Sequence, residues 1–317
     1  MDSNDVVVTG IGMVTPLGTD APSTLAAWRA GGTARRQALP ELAGTALERA
    51  EVALLPSFDA AARLGGRRML KYMSEAALLG CVAAHEACSE ACVSRRFTPE
   101  RVGLYAATGL AAAGVQDVVP LVHECIDEAG RFSCKLLGER GLAATNPLLS
   151  FKILANMPPC LVSIIECIKG PNLIFTPWEG QAGAALLEAW RAVAGGEVDC
   201  AVAGAADSAS HAATLIYLRQ AGLLRDGECP ASGAAYLVME RGESALREGR
   251  HIYAAISSIE LINSDFPACD PLAERIGRAF AAAPALLLAL ACCEPPGDVS
   301  ITGVDSQELR ASVECVR

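Results

Sequence analysis

Short apolar runs, each followed by a turn, recur along the first three quarters of the chain and alternate with stretches of helical spacing rich in small residues. This alternation constrains the fold more than any other feature, because it is typical of strands that are buried in a sheet between helices. The runs are DVVVTGIGMV (5–14), VGLYAATGLA (102–111), NLIFT (172–176), DCAVAGAADSA (199–209) and AAYLVMER (234–241). The pattern predicts an α/β protein with parallel strand pairing and right-handed crossovers.

A second, smaller unit begins near residue 250. Its sequence predicts a strand over 251–262, a helix over 270–293 and a strand over 299–303. Apolar residues make up 52% of the chain and aromatic residues only 5%, which fits an interior of Ala, Val, Leu and Ile. Because the second unit has fewer elements than the first, we expect it to expose apolar helix surface, including parts of 275–293, unless a partner covers it.

Charge and cysteine content exclude several classes of function. The net charge of −10, without long like-charge runs, argues against nucleic acid or an anionic membrane as a partner. Thirteen cysteines without a CxxC pair favour free thiols in a reducing cytoplasm over disulfides or a metal site. The acidic start MDSNDVVVTG predicts no signal peptide, and the apolar run 280–293 is too short to span a bilayer. We therefore expect a cytoplasmic protein without a bound metal.

The stretch FTPWEGQAGAALLEAWRAVAGG (175–196) predicts a strand that turns directly into a helix. Enzymes often place a nucleophile at such a corner, because the helix N-terminus stabilises negative charge. The residue at this corner is Glu179, neither Ser nor Cys. Glu179 is therefore either a general acid or base or a structural carboxylate. A buried carboxylate must be paired, hydrogen-bonded or protonated.

Several segments resemble the β-ketoacyl synthases of the thiolase superfamily, which extend acyl chains on acyl carrier proteins. They are VVVTGIGMVTPLG (6–18), ERVGLYAATGLA (100–111), NPLLSFKILANMPPCLVSIIECIKGPN (146–172), GGEVDCAVAGAADSA (195–209) and RDGECPASGAAYLVMERGESALREGRHIYAAI (225–256). The resemblance implies a layered α-β-α-β-α fold with a complete first half, residues 1–248, and a truncated second half, residues 249–317.

The same resemblance implies that the family's catalytic groups are absent. Glu179 falls where active members have the nucleophilic cysteine, and a carboxylate forms only an unstable mixed anhydride with an acyl donor. Thr302 falls where they have the first catalytic histidine, and the second histidine would lie beyond Arg317. Glu179 and Thr302 are thus vestigial positions, and we predict no catalytic residue in this chain.

Other positions are predicted to line the acyl-chain cavity or the dimer interface. The resemblance places Asn156, Pro158 and Cys160 in a dimer-contact segment, and Asn172 and Phe175 on the strand that pairs between subunits. It also places Trp178, Glu179 and Gln181 at the corner, and it puts Glu228 at the position of a Phe that gates the cavity.

These observations favour a catalytically inactive subunit similar to the chain length factors of type II polyketide systems. Such a subunit forms a heterodimer with an active β-ketoacyl synthase in polyketide or fatty-acid-type biosynthesis and helps to shape the acyl-chain cavity. It needs no cofactor of its own, since the phosphopantetheine of an acyl carrier protein is reached through the partner. Two alternatives stay open: an enzyme that uses Glu179 for decarboxylation or hydrolysis of a carrier-bound acyl group, and a homodimeric binding protein.

Overall fold

The computed structural model describes residues 5–110, 115–225 and 227–314. Ten strands are present in this part of the chain: β1 (Val6–Val14), β2 (Arg36–Ala38), β3 (Glu51–Ala53), β4 (Val102–Thr108), β5 (Asn172–Phe175), β6 (Cys200–Ser208), β7 (Ser232–Arg241), β8 (Ala254–Asn263), β9 (Gly297–Thr302) and β10 (Gln307–Glu314).

The helices begin with α1 (Ala21–Arg29), α2 (Ala60–Arg63), α3 (Glu75–Glu90), α4 (Val93–Arg96), α5 (Val115–Glu124), α6 (Cys134–Leu136) and α7 (Leu142–Ala144). They continue with α8 (Leu149–Ile153), α9 (Met157–Glu166), α10 (Glu179–Ala194), α11 (Ala212–Gln220), α12 (Gly242–Arg247) and α13 (Ala283–Cys292). None of the helices in the described part is long and apolar enough to cross a membrane.

Eight strands form one continuous sheet in the order β5-β4-β6-β7-β1-β8-β10-β9. Only β4 pairs in parallel, with β5 and β6, and all other neighbours are antiparallel. The prediction of parallel pairing throughout is therefore wrong. One reason lies in α11, which joins β6 to β7: it packs in a separate cluster with Leu42 and Phe280 and does not cross the sheet face, so the chain re-enters from the same end.

The helices lie in layers around this sheet. Helix α3 packs against β1, β6 and β7 on the outer side of the first unit, and α9 packs on α3 and β4. Helices α10 and α13 contact each other and reach strands of both units. They form the central layer, and the largest hydrophobic cluster surrounds them. Small residues permit this close packing: a Cβ on Gly183 of α10 would lie only 2.9 Å from the Leu261 side chain of β8.

The second unit repeats the inner part of the first. The antiparallel trio β8-β10-β9 has the same chain order and pairing as β1-β7-β6, and α13 precedes β9 as α10 precedes β6. Among the described residues, the second unit has no strand in the places of β4 and β5. The described part of the second unit is therefore smaller than the first, and the division into residues 1–248 and 249–317 stays a prediction. Strand β10, which our sequence analysis did not predict, supplies the middle of the trio.

Two details of the second unit differ from expectation. The helix predicted over 270–293 starts only at Ala283, because the backbone before it is held in an irregular path. Arg278 N donates to Cys229 O, and Gly277 has a φ of +97°. The expectation of exposed apolar surface on 275–293 is also wrong, since α13 is almost entirely buried. The surface that no described helix covers is instead the outer face of β8, β9 and β10.

That outer face is polar. The side chains that point away from α10 and α13 on β8, β9 and β10 include Ser258, Glu260, Ser300, Arg310 and Ser312, which line a shallow groove of about 330 Å³. Their inward-facing neighbours, such as Ile259, Ile301 and Leu309, are buried in the core. The alternation is that of a sheet with one solvated face, so the trio needs no covering layer.

Candidate functional site

The corner between β5 and α10 places Glu179 at the first position of the helix, inside the protein. Glu179 is 1% exposed. Its Oε1 accepts a hydrogen bond from Nη2 of Arg278 at 2.9 Å, and its Oε2 accepts one from the backbone N–H of Val304 at 3.2 Å. Both carboxylate oxygens therefore have partners, one of them charged.

Arg278 lies shortly before α13 and is 1% exposed. Besides Glu179, it donates through Nη1 to Oε1 of Glu228 at 3.2 Å, and its Nε lies 3.7 Å from Oδ2 of Asp270. The guanidinium also lies 5.0 Å from the centre of the Phe280 ring. One cation is thus shared by three carboxylates that come from separate segments of the chain.

The β9–β10 turn closes on the start of α10. Both carboxylate oxygens of Asp305 accept from the backbone N–H of Gly180, at 3.1 and 3.3 Å. A Cβ on Gly180 would lie 2.4 Å from Gln307, so only glycine fits against this turn. The positive end of the helix, which could stabilise an external anion, is occupied by carboxylates of the chain itself.

Burial dominates the electrostatics of this corner. It raises the pKa of Glu179, against the attraction of Arg278. It also raises the pKa of Asp270 to about 7 and that of Asp207, at the end of β6, to about 7. Asp207 Oδ2 accepts a hydrogen bond from Ala281 N at 3.1 Å, just before α13. The corner therefore retains protons at pH values at which exposed carboxyl groups have lost them.

The predicted corner residues lie close together. Glu228 belongs to the Arg278 cluster, and Trp178 packs on Phe280 with ring centres 6.0 Å apart. Thr302 is buried and pairs with Cys269 through the backbone. It is followed by Gly303, where a Cβ would lie 2.8 Å from Glu179 Cβ. Gln181 is half-buried inside the first turn of α10.

The predicted interface residues lie at the other side of β5. Pro158 is buried at the start of α9, whereas Asn156 is exposed and Cys160 half-buried. Asn172 is exposed on β5, and its Nδ2 donates to Ser163 Oγ of α9 at 3.3 Å. Phe175 is half-buried and packs against the main hydrophobic cluster. These residues lie on or beside β5 and α9, at one edge of the sheet.

Sequence reasoning missed Arg278, Asp270, Asp305 and Asp207. Arg278 stands directly before the run AFAAAPALLLALACC, whose apolar character predicts burial. A charged side chain at the end of a buried helix needs a buried counter-charge, so this arrangement was the available signal. Its pairing with Glu179, far away in the sequence, depends on the tertiary fold.

A second polar cluster lies where β6 ends. The Oε2 atom of Glu75 accepts from Ser208 Oγ at 2.6 Å and from Ser232 Oγ at 3.0 Å, and it lies 3.1 Å from Nε2 of His211. The hydrogen bond to Glu75 raises the pKa of His211. Glu75 and Ser208 both face the same ring nitrogen, so the carboxylate does not orient the imidazole from its far side as a catalytic relay requires. The described residues contain no group of three or more His, Cys, Asp or Glu placed to hold a metal ion.

The fold and the site together define the class of this protein. It is a thiolase-like α/β protein in which two related units share a central pair of helices. Residues 3–245 match the model of the β-ketoacyl synthase N-terminal domain. The chain therefore belongs to the β-ketoacyl synthase family, as the sequence segments indicated.

Solved structures with this fold include three that align over almost the whole chain. A β-ketoacyl synthase from Burkholderia phymatum STM815 has a TM-score of 0.79 at 16% identity, and the alignment covers 99% of this chain and 100% of that one. The ishigamide ketosynthase/chain length factor has a TM-score of 0.77 at 16% identity, covering 99% of each chain. A type II polyketide ketosynthase in complex with its acyl-carrier protein and bound to the hexaketide has a TM-score of 0.76 at 15% identity, covering 98% of this chain and 99% of that one. At these identities the likeness concerns the fold.

Proposed function

We propose that the chain is a catalytically inactive, chain-length-factor-like subunit that forms a heterodimer with an active β-ketoacyl synthase. Its tasks are to stabilise that partner and to help shape the cavity for the growing acyl chain in type II polyketide or fatty-acid-type biosynthesis. The subunit needs no cofactor of its own, because the phosphopantetheine of an acyl carrier protein is reached through the partner. Cytoplasmic location belongs to the same proposal.

One observation carries this proposal. The corner where the family resemblance implies a thiol contains instead a buried ion pair between Glu179 and Arg278. Glu179 and Arg278 are each 1% exposed, and both oxygens of Glu179 are engaged. A nucleophile must be accessible to its acyl donor, and a general acid or base must lie within reach of the substrate. In this structure Glu179 meets neither requirement, because it is buried and both of its oxygens already have hydrogen-bond partners.

The surface around β5 supports a partner. Among the described residues, strand β5 is the edge of the sheet and has β4 as its one neighbour, and Leu173 and Ile174 on β5 are exposed. An apolar edge strand of this kind promotes pairing with another chain. In the part of the chain that the structure describes, all but three of the exposed large apolar side chains come from residues 119–174: Val119, Val122, Ile126, Phe132, Leu142, Phe151, Ile153, Leu154, Ile164, Leu173 and Ile174.

Co-expression with an active β-ketoacyl synthase from the same organism tests the proposal. We expect the two chains to co-purify and the product length to change when this chain is left out. The variant Ile174→Lys places a charge on the free edge of β5 and should abolish co-purification, whereas Leu246→Lys on α12, a more exposed apolar position away from β5, should not. A synthase that is soluble and fully active alone, with unchanged product length, would refute the proposal.

The alternative enzyme has one observation in its favour, the raised pKa of Glu179, since a general acid must keep its proton. Glu179→Gln separates the two functions. If decarboxylation or hydrolysis of a carrier-bound acyl group by the lone chain is lost in this variant, the alternative replaces our proposal. An activity that survives the exchange excludes Glu179 as its catalytic group.

A further inference from the structure

Residues 115–155, here named the lid, contain the helices α5 to α8 and lead into α9. From residue 117 to residue 155, only Cys125 and Gly141 are buried, and all other residues are half-buried or exposed. None of the hydrophobic clusters in the described part of the chain includes a residue of the lid. The lid therefore takes no part in the core that stabilises the rest of the protein.

The contacts between the lid and the rest of the described chain are few. Helices α5, α6 and α7, together with residues 137–141 between α6 and α7, contact mainly one another, and α8 contacts α9. Thr108 Oγ1, at the end of β4, donates to Ala155 O at 3.1 Å, and the centre of the Phe151 ring lies 5.3 Å from that of the Tyr72 ring. A region with so few buried contacts unfolds locally at a lower free-energy cost than the whole protein.

One ion pair ties the two ends of the lid together. Nζ of Lys152 on α8 lies 2.8 and 3.0 Å from the two carboxylate oxygens of Asp117 on α5, and both side chains are largely shielded from water. The helices alone do not fix the lid, because α5 contains Pro120 and because α6 and α7 are only three residues long. Unfolding of either end removes this contact from the other end, so we expect the lid to fold and unfold cooperatively.

The lid exposes several large apolar side chains. Val119 and Val122, one turn apart on α5, are exposed, and so are Leu142 and Leu154. An exposed apolar surface of this kind is typical of a contact with another protein, and a segment with little core of its own can gain its order from that contact. The lid leads through α9 to β5, whose free edge is the proposed contact with the synthase. We therefore expect the same partner to cover the lid.

We propose that the lid of the lone chain unfolds as one unit while the rest of the protein stays folded, and that the synthase partner keeps the lid folded by covering its apolar side chains. In the folded lid, Lys152 and Ala155 line a space of about 10 Å³ together with Thr108 and Ser208, at the ends of β4 and β6. Unfolding of the lid opens this space to solvent. Because ligands of α/β proteins bind at the carboxyl ends of parallel strands, the lid controls access to a part of the sheet that is suited to binding. The role of the partner rests on the proposed function, whereas the unfolding of the lid does not.

Hydrogen exchange followed by mass spectrometry tests the unfolding of the lid in the lone chain, diluted until native mass spectrometry shows a monomer. We expect the hydrogen-bonded amides of the lid to be protected about a hundredfold less than those of β4 and β6, because their exchange requires unfolding of the lid alone. Equal protection of the lid and of these two strands would overturn the proposal.

The variant Lys152→Met distinguishes unfolding as one unit from fraying at separate places. Methionine keeps an unbranched side chain but removes the ion pair with Asp117, and this loss should speed exchange by up to about fivefold. If the lid unfolds as one unit, the acceleration is the same in α5 and in α8. An acceleration confined to α8 would overturn the proposal. The control is Lys169→Met, which removes an exposed contact with Glu100 outside the lid and should leave the exchange of the lid unchanged.

The same measurement on the co-purified complex tests the role of the partner. Protection of the lid should rise about a hundredfold, to that of β4 and β6, because the partner binds the folded lid. Val119→Lys should leave exchange in the lone chain unchanged, since Val119 is exposed, but should lower protection in the complex. An unprotected lid in an intact complex would overturn the role of the partner while the proposed heterodimer stands. If no complex forms, the heterodimer and the role of the partner fail together, and the result for the lone chain still decides whether the lid unfolds as one unit.

Discussion

Replacing Arg278 with methionine should destabilise the protein more than removing the carboxylate to which it binds most closely. Methionine retains an unbranched apolar side chain but removes the guanidinium that Glu179, Glu228 and Asp270 share. Glu179→Gln, in contrast, leaves Arg278 with two acidic partners. The structure therefore predicts an asymmetry between the two ends of one ion pair.

The expected magnitudes follow from burial. Removing one partner of a buried pair costs about 3–5 kcal/mol, because the remaining charge has no compensation. Arg278→Met should lie in this range at pH 7, since Glu179 is 1% exposed and the side chain of Asp270 0% exposed. Glu179→Gln exchanges a charged hydrogen bond for a neutral one and should cost about 1–3 kcal/mol.

Urea denaturation of the purified chain, followed by far-UV circular dichroism, measures both values. The control is Arg310→Met, whose guanidinium is half-exposed and pairs with Glu308 on the polar sheet face, so its effect should stay below about 1 kcal/mol. The reasoning is refuted if Arg278→Met costs no more than Glu179→Gln at unchanged denaturant dependence.

Three further outcomes are expected. Tyr236→Phe should stabilise the chain by about 1 kcal/mol in thermal or urea unfolding, because the buried Tyr236 hydroxyl lacks a hydrogen-bond partner; Tyr217→Phe, at an exposed site, should change nothing. Burial raises the pKa of Asp207 to about 7, from about 3.9 in the unfolded chain, so its contribution to the free energy of unfolding should be complete below about pH 3.9 and should be lost as the pH rises through about 7. Asp207→Asn should remove this part of the pH dependence in urea titrations. Gly204→Ala should destabilise by about 1–3 kcal/mol, because its Cβ would lie 2.2 Å from Ala235 O, while Gly297→Ala, where the space is open, should be tolerated.

Much of the first unit is predictable from local sequence. The runs that form β1, β4, β6 and β7 are bounded by turns and are apolar enough to be buried, and the corner at Glu179 is correctly placed at a strand–helix junction. The run that forms β5 is also a strand, but it lies exposed at the edge of the sheet. Strand direction is not encoded in this way, because an apolar run has the same pattern in either orientation. The antiparallel pairing of β6, β7 and β1 therefore became visible only in the structure.

The sequence predicts the site only in part, because it shows that Glu179 needs a partner but does not show which residue that partner is. A carboxylate at the start of a buried helix requires a partner, but nothing near Glu179 in the sequence identifies which one. Arg278 reaches it because α10 and α13 lie side by side in the central layer. Residues 270–282 were predicted to be part of the helix that ends at 293, whereas the conformation of this segment depends on backbone contacts of Arg275 with Ala34 and of Arg278 with Cys229.

The two edges of the large sheet differ in chemistry, and this difference limits how the molecule can assemble. The β5 edge presents Leu173 and Ile174, whereas the β9 edge presents Asp298 and Ser300 beside a solvated face. An edge that carries charge and polar groups resists the addition of a further strand. A molecule with an apolar strand at both edges of its sheet could associate into filaments. A molecule with such a strand at one edge can associate through that edge and stop at a dimer.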